Sequence, residues 1–544
     1  MKKNLFFTIL LFTFSTTSYA QTSTFSQTFG SSGIDQIRGL QTNDAREIFI
    51  AGTFGDDFNI GNKNLFINGL EDIFISKINT NNETVWAKSL GSNDRDKITG
   101  FRLFEDSLIY FSGVFWDNIT FDTISLSAIG NALFVIQLDS SGNTKWVNAI
   151  YGNSSKTINE GVTDNNGNYY ITGSFSANLY FPNDTLTAQG LEDAFVAKYD
   201  KNGLFLWAKS IGYQRYTEAT GLTVNNIGAV YIAGQFNGRV IFGNDTLWAS
   251  ALDFDLFFAK YDANGNLIFG KRFGGIYDNT NPKLALGIFG KVAMAGTFVG
   301  LLNFDQTSIQ TSGLDSDIFL AVFDDLGSLL SVGKYGDTNP ETLQGLAVNV
   351  DDYYLSGYFN TSTTFGNTSL TTSVGNLQNF VIRMTELQSQ TPNVVSYPTS
   401  QFSSSILVTP HFNSLLNREI LIAGIFEGTI NLPTATPSPV SNGFTDIFLI
   451  NILMPLVNTN SIEKQLNFKI FPNPTTDLLT IDFQDFNINQ SVKIHIINSI
   501  GQIQKTVFID ENLSQIDVSN LPKGIYFLKI IGNENIQVGE FLKN

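Results

Sequence analysis

Residues 48–54 read IFIAGTF, and the chain rewrites this string: YITGSF at 170, YIAGQF at 231, AMAGTF at 293, LIAGIF at 421. Aligned on the glycine, the series is Gly52, Gly113, Gly173, Gly234, Gly296, Gly357 and Gly424, at intervals of 60 to 62 residues with a last interval of 67. Two residues after each glycine stands Phe54, Phe115, Phe175, Phe236, Phe298, Phe359 or Phe426. A second phenylalanine closes each unit: Phe74, Phe134, Phe195, Phe257, Phe319, Phe380 and Phe448. Register held over seven periods marks a repeat architecture.

Each unit parses the same way. A short strand (ITGFRL at 98, ATGLTV at 219) leads by a turn to the glycine strand. A hairpin such as VIFGNDTLWAS at 240 follows, then a strand such as DAFVAKYD at 193. A turn of the DANGN kind leads to a last strand, VWAKSLG at 85 or LWAKSIG at 206. Runs of β-favouring residues bounded by Gly, Asn and Asp are strands and hairpins. The glycine strand is apolar on both faces, with Val230, Ile232 and Phe236 on one and Tyr231 and Ala233 on the other. That pattern predicts a sheet sandwiched between neighbouring sheets, its glycine leaving room for a backbone or a Phe ring.

The ends decide between an open solenoid and a ring. The seventh unit stops after TDIFLINILMP without its last strand, and the mature chain begins with one: TFSQTFG, 24–30, aligns with VWAKSLG. A terminal strand that completes the last unit removes a sheet edge. The expectation is an all-β chain: a seven-bladed β-propeller over residues 22–455, a linker at 456–465, and a small Ig-like β-sandwich at 466–544.

Composition agrees. The chain has 544 residues, 48 of them Phe and 47 Gly, and only 15% charged, against about a quarter in ordinary domains. A net charge of −17 speaks against nucleic acid as a partner, since phosphate attraction needs a basic surface. There is no cysteine, and His411 and His495 are the two histidines, which removes thiolate chemistry and histidine-rich metal sites. The start, MKKNLFFTILLFTFSTTSYA, has the charged end, apolar run and small residues of a signal peptide over 1–20, handed to the Sec machinery. No later segment is apolar enough for a transmembrane helix.

Units with YIAG-x-F, D-x-F-V-A-K-Y-D-x-N-G and W-A-K resemble the SBBP-type β-propeller repeats of secreted bacterial proteins, a resemblance that implies a fold and no single activity. NALF in unit two and QNFV in unit six depart from the pattern. The segment from 466 onward is similar to the type A C-terminal sorting domain of the type IX secretion system. The matching residues are Pro472, Asn473 and Pro474, the turn around Gly501, and Gly524, Ile525 and Tyr526. This implies a Bacteroidota-type host, recognition by the translocon, passage to the cell surface or medium, and usual removal of the domain.

Candidate chemistry is sparse. Asp72, Asp193, Asp255, Asp317 and Asp446 occupy one repeat position; they read as a ring that holds a cation or as strand caps. The turns at 139, 164, 200 and 262 hint at calcium but lack the further ligands of a full site. A glycosidase needs two facing carboxylates, and Asp96, Glu218 and Glu341, with Asp35 and Glu160, lie near the starts of the inner strands. The irregular stretch 390–405, with His411 beyond it, is the sizeable break in the repeat. Trp86, Trp146 and Trp207 read as packing between units rather than as a sugar platform. DTI at 122 and DTL at 184 and 245 resemble Bacteroidota O-glycosylation sites, with Thr123, Thr185 and Thr246 as acceptors. The expected function is a secreted, non-enzymatic binding or adhesion module for a glycan or protein. The alternatives are a carbohydrate-active hydrolase or lyase and a structural surface component.

Overall fold

The computed structural model describes residues 23–243, 245–249, 253–287, 290–349, 352–372, 376–385, 392–410, 419–434, 437–453, 468–483, 492–498, 503–509, 511–531 and 536–544. The signal peptide, the linker, His411 and Gly501 lie outside them. The described chain is all-β, and no helix in it is long and apolar enough to cross a membrane.

The repeat units become antiparallel sheets. In unit one the strands Gln36–Thr42, Ile48–Phe54, Asp72–Ile78 and Thr84–Leu90 neighbour one another in that order. Units two to five repeat this order, beginning at Lys97, Lys156, Thr217 and Asn279. The first strands lie side by side in chain order, and the first strand of unit seven lies beside that of unit one. Unit seven consists of Phe402–Pro410, Glu419–Glu427 and Asp446–Leu453, and its outer strand is Ser23–Phe29 from the other end of the chain. That strand pairs antiparallel from Phe29↔Ile447 to Ser23↔Ile452.

Successive side chains of a strand point to opposite faces, so each sheet feeds two cores. Ile50 and Phe54 pack with Phe29, Leu421 and Ile447 of unit seven, while Phe49 and Ala51 pack with Phe101 and Phe111 of unit two. Similar cores fill each later gap between consecutive units. The strand Ile48–Phe54 is accordingly buried at every residue. A fully buried Phe contributes roughly 1.5–3 kcal/mol, so the repeated phenylalanines are the main apolar filling between sheets.

The outer parts of neighbouring units are also stitched together. The last strand of unit two runs on to pair Tyr151 with Tyr180 in the hairpin of unit three. The last strand of unit four does the same through Gly274↔Asn303. Trp86, Trp146 and Trp207 donate their indole N–H to Ser140, Lys201 and Ala263 carbonyls in the next unit's turn, at 3.1–3.2 Å. These turns need glycine at φ near +80° (Gly142, Gly203, Gly265), and each packs on the Trp ring.

Unit six differs. Its outer strand is only Asn393–Val395, because Pro392 and Pro398 flank the segment and proline cannot donate to a ladder. Two amides take over the missing ladder bonds. Asn379 donates to the Tyr397 carbonyl at 2.6 Å and accepts its N–H at 3.0 Å; Gln378 does the same with Thr399 at 3.0 and 2.8 Å. A carboxylate accepts but cannot donate, which explains QNF where five of the other six units carry Asp.

Beyond 468 two further sheets, of three and four strands, share one core of Leu479, Ile481, Ile494, Ile516, Leu528 and Phe541.

Candidate functional site

The repeat glycine leads to the site. In each unit the first strand holds an extra residue opposite the second strand. The register slips between Ile37 and Gly39, Ile98 and Gly100, Ile158 and Glu160, and Ala219 and Gly221. A bulge bends its strand and re-aims the residue within it. The carbonyls of Gln36, Lys97, Thr157 and Glu218 are pushed to where a Cβ on Gly52, Gly113, Gly173 or Gly234 would lie, and the ring of Phe74, Phe134 or Phe257 covers three of these glycines. Only glycine accommodates both neighbours.

The bulged residues Arg38, Thr99, Asn159 and Thr220, together with Asn281 from the two-residue bulge of unit five, line one pocket of about 290 Å³. It sits where the first strands begin. Lys97, Glu218, Lys283 and Glu71 supply the rest of its charge. At the same end, the loops before the third strands leave Leu70, Leu191, Leu314 and Phe444 exposed.

The two signs of charge are treated differently. Glu218 accepts from the Asn159 amide at 2.9 Å and the Gln235 amide at 3.2 Å, and Glu71 accepts from Thr53 at 2.7 Å. Arg102 and Glu160 pair at 3.1 Å. By contrast, Arg38, Lys97 and Lys283 enter none of the ion pairs among the described residues. Arg38 donates to Gln36 at 2.6 Å and Lys283 to the Thr220 carbonyl at 3.3 Å. Desolvation by the crowded surrounding strands holds the Lys283 ammonium and the Arg38 guanidinium below their ordinary ranges, opposed by Glu160 and Glu218 for Lys283 and by Glu71 for Arg38, although Arg38 is exposed and Lys283 half-buried. Burial pushes Glu218 upward, against the Asn159 hydrogen bond.

Of the carboxylates singled out as catalytic candidates, only Glu218 lines the pocket. Asp96 and Glu341 are fully buried at the residue that opens the first strand. Asp96 accepts the Ser92 N–H at 2.5 Å and the Trp116 N–H at 3.3 Å; Asp35 holds the same place in unit one, bonded to Ser31. Burial raises Asp35 to about 7, Asp96 to about 6 and Glu341 to about 9. Glu160 faces Arg102.

Asp72, Asp193, Asp255, Asp317 and Asp446 open the third strands and are buried. Each is used within its own unit. Asp72 accepts the Asn68 N–H at 2.6 Å, Asp193 the Gln189 N–H at 2.8 Å and Asp446 the Asn442 N–H at 3.1 Å. Asp255 and Asp317 pair with Arg272 and Lys334 at 2.6 Å. Gly91, Gly212 and Gly274, which end the outer strands, leave room for Asp72, Asp193 and Asp255, and Gly30 does so for Asp446. The turn carboxylates Asp139, Asp164, Asp200 and Asp262 each accept two N–H groups of their own turn. Among the described residues no three His, Asp or Glu side chains gather as metal ligands do. Thr123, Thr185 and Thr246 are exposed in their hairpins.

The bulged residues went unnoticed in the sequence because they are not alike from unit to unit. The readable signal was the offset: each stands three residues after the buried opening position, Arg38 after Asp35 and Thr99 after Asp96.

In the C-terminal sheets, Asn473, between Pro472 and Pro474, donates to the Glu540 carbonyl at 3.0 Å and accepts the Leu542 N–H at 2.9 Å. It thus ties the start of the module to its last strand. Gly524 opens the strand in which Tyr526 is buried, stacked on Phe541 and donating to the Pro522 carbonyl at 2.8 Å. Ile525 is exposed.

Residues 469–544 match the secretion system C-terminal sorting domain family. An uncharacterized WD repeat-containing protein of Acanthamoeba polyphaga mimivirus is 23% identical over 42% of this chain and 20% of its own length, so the chain spans about a fifth of that relative. Among solved structures, PorZ of Porphyromonas gingivalis, described as an essential surface component of the type IX secretion system, aligns at 10% identity over 93% of this chain and 91% of its own, with a TM-score of 0.14. The extracellular domain of a putative hybrid two-component system of B. thetaiotaomicron aligns at 11% identity over 95% and 99%, with a TM-score of 0.15. Similarity that low carries no argument about arrangement. The sorting domain does: the protein interacts with the type IX secretion machinery and is exported through it to the cell surface or extracellular space.

Proposed function

We propose that residues 22–455 form a closed seven-bladed β-propeller of SBBP-type repeats that acts as a non-enzymatic binding module, carried outward by the sorting domain of 466–544. Support for the ring comes from the strand Ser23–Phe29 paired in unit seven and from the core shared by units seven and one. The functional reading rests on one observation. The residues that hold the units together repeat, whereas the residues that the bulges turn into the pocket are Arg38, Thr99, Asn159, Thr220 and Asn281. A repeated scaffold whose cavity-facing residues differ from unit to unit fits ligand recognition, since function resides in sites rather than folds.

A hydrolase or lyase would use Glu218 with Glu71 across the same pocket. Both oxygens of Glu218 already accept amide N–H groups, which suits a wall residue better than a proton carrier. Incubating the full chain with a panel of envelope and matrix polysaccharides, with binding and product release read in parallel, separates the two. Retention of a polymer without product supports the module. Turnover abolished by Glu218→Gln overturns it.

The exposed Thr123, Thr185 and Thr246 fit a second, smaller expectation, glycosylation in the native host. An intact mass equal to that of the bare chain sinks it.

A further inference from the structure

We infer that the pocket takes the oxyanion of an acidic ligand, a carboxylate or sulfate group carried by a saccharide-sized molecule, and that Arg38, Lys97 and Lys283 receive it. This rests on the binding-module reading and gives it a ligand class.

The argument is one of donors and acceptors. A guanidinium has five N–H donors and an ammonium three, and neither can accept. Of those on Arg38, Lys97 and Lys283, only two meet an acceptor among the described residues, Gln36 and the Thr220 carbonyl. The carboxylates nearby are already matched: Glu218 by two amides, Glu71 by Thr53, and Glu160 by Arg102. The pocket therefore holds an excess of unmatched donors bearing positive charge. A carboxylate or sulfate is the complement, being acceptor-only and negatively charged, and charge-assisted bonds to such groups are the strong ones.

The setting makes this more than a solvated basic patch. The chain as a whole carries −17, so three cations outside the ion pairs of the described residues in one pocket run against its composition. Arg38 is placed by a bulge, and Lys283 ends the two-residue bulge of unit five. Lys97 begins its strand, and its own carbonyl lies where a Cβ on Gly113 would stand. The polar neighbours Thr99, Asn159, Thr220 and Asn281 offer neutral hydrogen bonds of the kind that sugar hydroxyls use. A volume of about 290 Å³ lies at the lower bound of small-molecule sites, about 300–1,000 Å³. That suits one charged sugar ring, as the end of a chain or as a free molecule, rather than a long polymer threaded through.

The test is titration calorimetry of the full chain with trigalacturonate, a sulfated disaccharide and neutral maltotriose, in low and high salt. The two charged probes separate carboxylate from sulfate as the source of the oxyanion. The expected result is saturable binding of at least one charged probe, weakening as salt rises, with maltotriose not bound. Lys283→Gln and Lys97→Gln should each weaken binding about tenfold, as loss of a charge-assisted hydrogen bond does. Lys145→Gln, an exposed lysine outside the pocket, should leave it unchanged. Should Lys283→Gln fold poorly, exposed Lys97 carries the test. Maltotriose bound as tightly as the charged probes, no charged probe bound, or equal weakening by Lys145→Gln overturns the inference. Conversion of a bound charged probe to product would leave the oxyanion site standing and remove the non-enzymatic reading instead.

Discussion

Two positions three residues apart on each first strand do opposite jobs. The opening position, Asp35, Asp96, Lys156 or Glu341, is buried and faces back into the units. At the bulged position Arg38, Thr99, Asn159 and Gln344 are at least partly open and Thr220 of unit four is buried; all of these but Gln344 line the pocket. In units two and three the opening position holds opposite signs of charge, each with its bonds met. Asp96 takes the Ser92 and Trp116 N–H groups, whereas Lys156 in unit three gives its ammonium to Asn131 at 2.8 Å and Ser154 at 3.2 Å. The two positions thus divide between holding the fold and facing the pocket, and the bulge draws the line between them.

The most severe way to break this division is to remove the frame that holds both positions. Deleting residues 23–30 exposes the edge of Asp446–Leu453 and strips Phe25 and Phe29 from the core shared by units seven and one. A loss of about 5 kcal/mol or more is expected from that burial and its ladder. A thermal melt unchanged by the truncation defeats the closed ring. Gly234→Ala comes next. The new methyl overlaps the Glu218 carbonyl and the Phe257 ring, with an expected cost of about 3 kcal/mol or more. Gly313→Ala meets nothing within 4 Å and should stay within about 0.5 kcal/mol. Equal denaturation midpoints for the two would refute the account of the repeat glycine.

Substitutions at the two positions themselves sharpen the contrast. Asp96→Ala strands the Ser92 and Trp116 N–H groups and should cost about 1–3 kcal/mol. Thr99→Ala, three residues on, should melt within about 0.5 kcal/mol of the parent and act only on binding. The reverse pattern in urea titrations would move the pocket elsewhere.

Much of this frame was legible because it repeats. The Gly and Phe series, the terminal strand and the Trp contacts each follow from a spacing that recurs down the chain. The third-strand aspartates were legible as a series, but their shared space with the closing glycines Gly91, Gly212 and Gly274 is a long-range contact that no local pattern encodes. The pocket was hidden for a different reason. A bulge shifts a strand by one residue, and one residue reverses the face. Alternation counted along ITGFRL or ATGLTV cannot reveal that Thr99 or Thr220 turns inward. The carboxylates at the opening position stand out in the sequence instead, because acidic residues announce chemistry and threonines do not.

The most selective effect depends on pH. Glu341 occupies the opening position of unit six, buried beside the Thr363 hydroxyl and the Asp317 carboxylate. Burial, then the neighbouring Asp317 and Asp337 carboxylates, pushes it from 4.5 to about 9. Below pH 4.5 the folded and unfolded chains both hold this proton, and burial adds no pH-linked penalty. Between pH 4.5 and about 9 the unfolded chain releases it while the folded chain keeps it, so stability falls as pH rises through that window. Glu341→Gln removes the proton from the balance and keeps the shape. The variant should melt like the parent at pH 4.5 and be more stable at pH 8 by about 1 kcal/mol or more. Thr99→Ala should show no such pH-dependent gap. A Glu341→Gln difference that is constant from pH 4.5 to 8 would mean that the carboxyl is ionised where it lies, and the opening position would then be no different in kind from the pocket wall.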